Sequence, residues 1–420
     1  MKRLWGNSLL VLGGTAFAVA VLEVALRIAG VSYPSFYTVD RTVGPTLRPG
    51  AHGWWTSEGR TYIRINSAGL RDREHAKAKP PGTFRIAVLG DSYAEAFQVP
   101  LEDTFWSVMS RELAACPSLG GRKVEAIDFG VSGYGTAQEL LVLRHRVWDY
   151  DPDLVLLAFT TGNDVRNNLR ALENDPRIPY FVYRGGVLAL DNGFLDSWRY
   201  RPAGRLLFGL GYRLVSASRI LQVANRAKNV YLTRRAEARQ QAAANAAAAA
   251  RRTATPGPPA APAAGAAQPP LAEPGLDAMV FREPRDPLWR EAWRVTEGLI
   301  ATMGAEVAAR GKAFLVVTVS SGIQVHPDPG AREAFRRGAG AGSLFYPERR
   351  IEELCRRQGI PALSLGPPFL EYAERNRVFL QGFGTNLGWG HWNLQGHHLA
   401  GTLIAQAICR ETGTRKSPAR

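Results

Sequence analysis

From Phe84 onward the apolar positions follow two alternating periods. Short continuous runs at Arg85–Gly90, Val124–Phe129, Leu154–Phe159 and Ala313–Val319 have the length and composition of strands buried on both faces. The segments 101–116, 136–149, 287–309 and 347–358 instead carry apolar residues at helical spacing. Strands alternating with helices predict an α/β fold, a three-layer sandwich about a mainly parallel central sheet. In such sheets ligands bind beyond the carboxyl ends of the strands. The residues that follow each run are therefore the first place to look for chemistry.

The alternation is flanked and interrupted by stretches of other character. Lys2 and Arg3 precede the apolar run 8–30, broken only by Glu23 and Arg27. This run suits a single membrane span of about 20 residues. Small-residue sites at Ala16-Phe17-Ala18 and Ala18-Val19-Ala20 also fit a cleaved signal. Because the run continues past both sites, 1–30 is read as an uncleaved signal anchor, with the rest of the chain on the periplasmic or extracellular side. Glu23 and Arg27, four apart, pair on a helix. Residues 31–80, rich in Tyr, Pro, Gly and Arg, read as a stalk or collar of small strands and turns, with no chemistry assigned.

Residues 81–412 form the main domain, interrupted by an insertion over 166–285. Within the insertion, 180–190 reads as a hairpin turning at Gly185-Gly186. Residues 204–239 read as basic amphipathic helices, which either lie on a membrane surface or pack on their own domain. The Ala/Pro-rich stretch 240–275 has no core-forming pattern and reads as disordered. A basic tail, 413–420, follows.

The net charge of +15 raises the question of nucleic acid. The basic residues are scattered and mostly arginine, with no zinc-finger spacing, RNP-type motif or basic-region heptad. Proximity to anionic lipid explains the charge better, and no nucleic-acid partner is expected. Cys116, Cys355 and Cys409 are too widely spaced for a disulfide framework or a metal cluster. One bridge is open to them in an oxidising compartment, between a pair the spacing does not identify.

Four segments carry the candidate chemistry. Gly90-Asp91-Ser92 ends the first strand, so Ser92 stands on a rigid edge as a possible nucleophile; capping of the next helix is the alternative. The glycines of 128–136, DFGVSGYGT, let backbone approach a bound group closely. Asn163, after the third strand, can donate its amide to an oxyanion. His391 in GWGHWNLQGHH (388–398) offers a base. His397 and His398 lie close by, but no carboxylate or cysteine cluster accompanies them as metal ligands.

In this order, the four segments resemble the blocks of the SGNH hydrolase family, the GDSL esterases and lipases, over about 81–165 and 285–410. The resemblance implies a flavodoxin-like sandwich, Ser92 as nucleophile and His391 as base. It implies the amides of Ser92 and Gly133 and the side chain of Asn163 as oxyanion donors, with His397 structural. It calls for no cofactor or metal. Membrane-anchored bacterial members of the family look similar overall. The chain departs from the pattern in two ways: Asp128 stands where asparagine is common, and Gly388 and Trp389 stand where an aspartate orients the histidine. Glu371 and Glu374 are carboxylates near it in sequence only.

The reading is thus an ester hydrolase acting outside the cytoplasmic membrane on O-acylated glycans or lipids. A non-catalytic envelope binding or scaffold protein, or an O-acyltransferase, is the alternative.

Overall fold

The computed structural model describes residues 2–232, 234–235, 238 and 276–414. The stretch 240–275 and the end of the basic tail, 415–420, lie outside the described residues. The chain divides into two units, Met1–Ser35 with Leu206–Pro269 and Phe36–Arg205 with Pro270–Arg420.

In the smaller unit, α1 (Lys2–Ile28) contains a 22-residue apolar stretch, Asn7–Ile28, long enough to span a membrane. Its Glu23 and Arg27 pair at 2.7 Å. The larger unit opens with two antiparallel ribbons, β1 (Tyr37–Asp40) with β2 (Gly44–Leu47), and β3 (His52–Trp55) with β4 (Thr61–Arg64). The second ribbon follows the two-residue strand period: Thr61 and Ile63 are buried, while Tyr62 and Arg64 face out.

β5 (Thr83–Gly90) is buried at every position. Ile86 and Val88 enter one core, and Ala87 and Leu89 enter the other. The strand is therefore covered on both faces, which explains its continuous apolar run. β6 (Lys123–Asp128), β7 (Leu154–Thr160), β10 (Ala313–Val319) and β11 (Ala362–Ser364) complete a sheet of order β11-β10-β7-β5-β6, all of it parallel. From its other edge this is the flavodoxin-like order, whose winding reverses between β5 and β7. The expected α/β sandwich is the observed fold.

Residues following these strands begin the helices. α2 (Ser92–Glu95) follows β5, and α3 (Phe105–Leu113) starts where the Thr104 hydroxyl accepts from the Ser107 N–H. α4 (Thr136–His145) follows β6, and the short α5 (Asp164–Asn167) and α6 (Arg170–Glu173) follow β7. β8 (Tyr180–Arg184) and β9 (Val187–Asp191) form the hairpin expected at Gly185-Gly186, both glycines at positive φ. α7 (Pro202–Ala217) and α8 (219–232) are the basic helices of the insertion.

α9 (Pro287–Ala309) has the predicted limits because Asp286 caps the Leu288 and Trp289 N–H groups and Pro287 opens the first turn. α10 (Pro329–Gly338), α11 (Tyr346–Gln358), α12 (Gly366–Asn376) and α13 (Leu394–Thr414) follow. Leu140, Trp293, Met303 and Ile351 of α4, α9 and α11 fill the core on one sheet face. Trp106, Phe369 and Ile404 of α3, α12 and α13 fill the core on the other. Burial of each such side chain stabilises the fold by about 1.5–3 kcal/mol. Cys116 and Cys409 form a disulfide that ties α13 to the turn after α3, and Cys355 is free and buried.

Candidate active site

Ser92 is the first residue of α2, directly beyond the carboxyl end of β5. The cap of that helix is its neighbour Asp91, whose Oδ1 accepts the Tyr93 N–H at 2.9 Å. The capping role therefore falls to Asp91 and leaves the Ser92 hydroxyl free of it. Asp91 also accepts from Thr160 Oγ1 at 3.1 Å and from Asn163 Nδ2 at 3.2 Å. Burial pushes the Asp91 carboxyl above its usual range against the opposing pull of these bonds. One carboxylate thus joins the ends of β5 and β7 at the point where the sheet reverses its winding.

Asn163 presents its amide nitrogen to Asp91, and an amide nitrogen carries two hydrogens. One is engaged by Asp91, and the other is available at the cavity wall. Gly133 adopts φ of +81°, a left-handed conformation that favours glycine. Among the described residues its N–H makes no hydrogen bond, whereas the preceding Ser132 N–H donates to Glu95 Oε1 at 3.2 Å and fixes the turn. Glu95 also accepts from the Tyr37 hydroxyl at 2.9 Å. Burial pushes it up to about 7.

His391 joins these groups from the loop before α13. Ser92, Gly133, Asn163 and His391 all line one cavity of about 270 Å³, together with Arg166, Glu173 and Leu276. Every sequence-predicted site residue is therefore brought to a single place. The Tyr93 hydroxyl donates to the Gly390 carbonyl at 3.0 Å, and the Tyr93 ring lies 5.2 Å from the imidazole, so α2 also steadies the histidine loop.

A carboxylate far away in the sequence meets His391. Glu58, in the turn between β3 and β4, accepts the His391 N–H on Oε1 at 2.9 Å and lies 2.5 Å from Nδ1 on Oε2. Nδ1 is the donor to this carboxylate, which leaves Nε2 as the acceptor nitrogen of the neutral ring. Burial lowers the His391 pKa, but the bond and charge of Glu58, with the charges of Asp91 and Glu95, outweigh it and hold it above the ordinary value. Glu58 is pushed up by burial, and its bonds to His391 bring it below the usual carboxylate range. Gly390, at φ +82°, is the residue that admits this contact: a Cβ there would stand 2.4 Å from Glu58 Oε1.

The segment 31–80, to which the sequence assigned no chemistry, thus supplies a site residue. No local signal marks Glu58, since it lies 333 positions from its partner. Glu371 and Glu374 instead make ion pairs with Arg375 and Arg332. His397 Nδ1 accepts the Phe105 N–H at 3.2 Å inside the core, where burial drives its pKa well down. Among the described residues, no group of three or more His, Cys, Asp or Glu side chains is arranged to hold a metal ion.

No protein-family model matches the chain, and no curated protein matches it. The chain is similar to several solved structures at low identity. LAE5, an alpha/beta hydrolase enzyme from the metagenome of Lake Arreo, is 11% identical, with 80% of this chain and 97% of that one covered and a TM-score of 0.35. The acetyl xylan esterase AlAXEase is 12% identical, with 77% and 100% covered and a TM-score of 0.36. Axe2, an acetylxylan esterase from Geobacillus stearothermophilus, is 10% identical, with 80% and 97% covered and a TM-score of 0.35. Likeness at this level speaks to neither mechanism nor substrate.

Proposed function

We propose that the chain is a serine ester hydrolase of the SGNH type, with Ser92 as nucleophile, His391 as base and Glu58 as the positioning carboxylate. The observation that carries this reading is the pairing of Glu58 with His391, which lines the same cavity as Ser92. A binding protein has no need of a half-buried carboxylate that fixes an imidazole tautomer. The aspartate absent before His391 would favour the non-catalytic alternative, and the contact of Glu58 with His391 weighs against it.

In the reaction, Ser92 Oγ attacks the ester carbonyl carbon while its proton passes to His391 Nε2. The carbonyl oxygen becomes an oxyanion that accepts from the Ser92 and Gly133 N–H groups and from Asn163 Nδ2. Glu58 stabilises the imidazolium through the Nδ1–H. The tetrahedral adduct collapses, and the alcohol leaves with the proton from Nε2. Water then attacks the acyl-serine, gives its proton to Nε2, and the acid is released as Ser92 recovers its hydrogen.

The reading extends to location. An uncleaved α1 span and a disulfide, which persists in oxidising compartments, support a catalytic unit outside the cytoplasmic membrane. O-acylated envelope glycans or lipids are the substrates such an address offers. The test is labelling of the full-length chain in detergent with a fluorophosphonate, beside turnover of a short-chain aryl ester. Ser92→Ala and His391→Ala should abolish both. Equal labelling of wild type and Ser92→Ala would overturn the assignment.

A further inference from the structure

Glu23 and Arg27 are charged side chains inside an apolar span, where unpaired charge is costly and marks a function. Their mutual ion pair is only part of what they do. Glu23 accepts from the Ser218 hydroxyl at 3.0 Å, the Arg219 N–H at 2.8 Å and the Ile220 N–H at 3.1 Å. Those amides belong to the first turn of α8, which lack partners within the helix. Arg27 donates to the Ala217 carbonyl at 2.6 Å, at the last residue of α7. One ion pair on α1 therefore caps both sides of the break between α7 and α8. Tyr33 and Arg219 add bonds to the buried Gln222, at 2.8 and 2.9 Å.

The level of this junction is set by helix geometry. Glu23 lies five residues before Ile28, about 7.5 Å along the axis at roughly 1.5 Å per residue. Amphipathic helices in a membrane interface bury their apolar face about 5–10 Å deep. From Leu206 on, α7 turns Leu206, Leu207, Leu210 and Leu214 to one side, between 51% and 74% exposed. Among the described residues that leucine face is exposed, and 206–235 contains six basic residues and no acidic one.

We propose that α7 and α8 form a second membrane-contact element, seated by the Glu23–Arg27 pair in the interface of a bilayer rich in anionic lipid. The inference rests on α1 spanning that bilayer. The leucines enter the acyl boundary, and the surplus positive charge meets the anionic headgroups. The single span is thereby joined to a surface-bound helix pair, which restricts how the anchor tilts and turns.

The experiment uses the full-length chain in phosphatidylcholine/phosphatidylglycerol vesicles, with an environment-sensitive fluorophore on Leu210→Cys or Lys228→Cys. The native cysteines are bridged or buried, so the new thiol takes the label. The Leu210 label should be quenched by nitroxides near the top of the acyl chain and protected roughly tenfold from aqueous iodide relative to the Lys228 label. In neutral vesicles, and in a Glu23→Gln/Arg27→Gln chain, that protection should fall at least in half.

Equal iodide access at both positions, in chains that resist alkaline extraction, would overturn the proposal while leaving the span intact. Protection from iodide and lipid nitroxide alike, with crosslinks between chains, would overturn it in favour of pairing with a second copy. Release of the chain by alkaline extraction would refute the span itself.

Discussion

Replacing Glu58 by glutamine keeps the size of the side chain but removes its charge and one of its two acceptors. Glu58 accepts two hydrogens from His391, one from the backbone and one from Nδ1; glutamine has a single acceptor oxygen for both. In the proposed mechanism the ring carries a full positive charge in the transition state. A carboxylate about 4 Å from that charge stabilises it by about 4 kcal/mol at an effective dielectric of about 20, near the protein surface. That corresponds to about a thousandfold in rate. Loss of the fixed tautomer adds to it, so kcat should fall by about 10³–10⁴ with KM little changed.

The pH dependence gives an independent reading of the same substitution. The base must be neutral, so kcat/KM in the wild type should rise with pH through a midpoint above the ordinary histidine value of 6.5. In Glu58→Gln the largest raising influences are gone and burial, which lowers, remains; the midpoint should move down. Stability follows the same linkage. The raised His391 stabilises the fold at low pH, and this contribution is lost as pH climbs through its folded value. The lowered Glu58 contributes above its unfolded value of 4.5 and loses that contribution as pH falls through its folded value. The pair is therefore worth most between about pH 4.5 and 6.5, where thermal melts of Glu58→Gln should show the largest deficit. A variant within about fivefold of wild-type kcat, with an unshifted midpoint, would refute the assigned role.

Three further substitutions probe other parts of the structure. Asn163→Ala removes a side-chain donor at the cavity and should lower kcat by about 10²–10³, with near-native circular dichroism. Gly390→Ala forces a left-handed conformation on alanine at a strain of about 1–3 kcal/mol. It also drives a methyl group against Glu58, so ester turnover should fall further than the melting temperature alone would explain. Glu348 is fully buried, and burial pushes it up to about 8 against its bond from Gln324. Its raised value makes the fold less stable as pH rises from 4.5 toward 8. By pH 7 the loss is about 3 kcal/mol. Glu348→Gln should flatten that slope in denaturant titrations at successive pH values.

What the sequence made legible was local. β10 and α9 have their predicted limits because an unbroken apolar run, and an Asp-Pro start, act on their own neighbours. Ser92, Asn163 and His391, which line one cavity, could be picked out as candidates because each follows a strand or precedes a helix, where short signals survive. Glu58 was not, because the selection of its carboxylate is made across 333 positions by the loop holding His391. The choice of Cys116 with Cys409 was equally closed to spacing arguments, since folding alone brings their backbones together. The Glu23–Arg27 pair was legible as a pair, but its capping of α7 and α8 depends on a contact nearly 200 residues away.

The distance between Glu58 and His391 also fixes when the site comes into being during synthesis. Ser92, Gly133 and Asn163 leave the ribosome long before His391, the proposed base. Under the proposed assignment, a nascent chain carrying the first three-quarters of the sequence would hold the nucleophile and oxyanion donors without the base. The collar turn waits for its partner as well. On that assignment, hydrolytic competence would therefore arrive in one step, when the segment carrying His391 is made and meets the Glu58 turn.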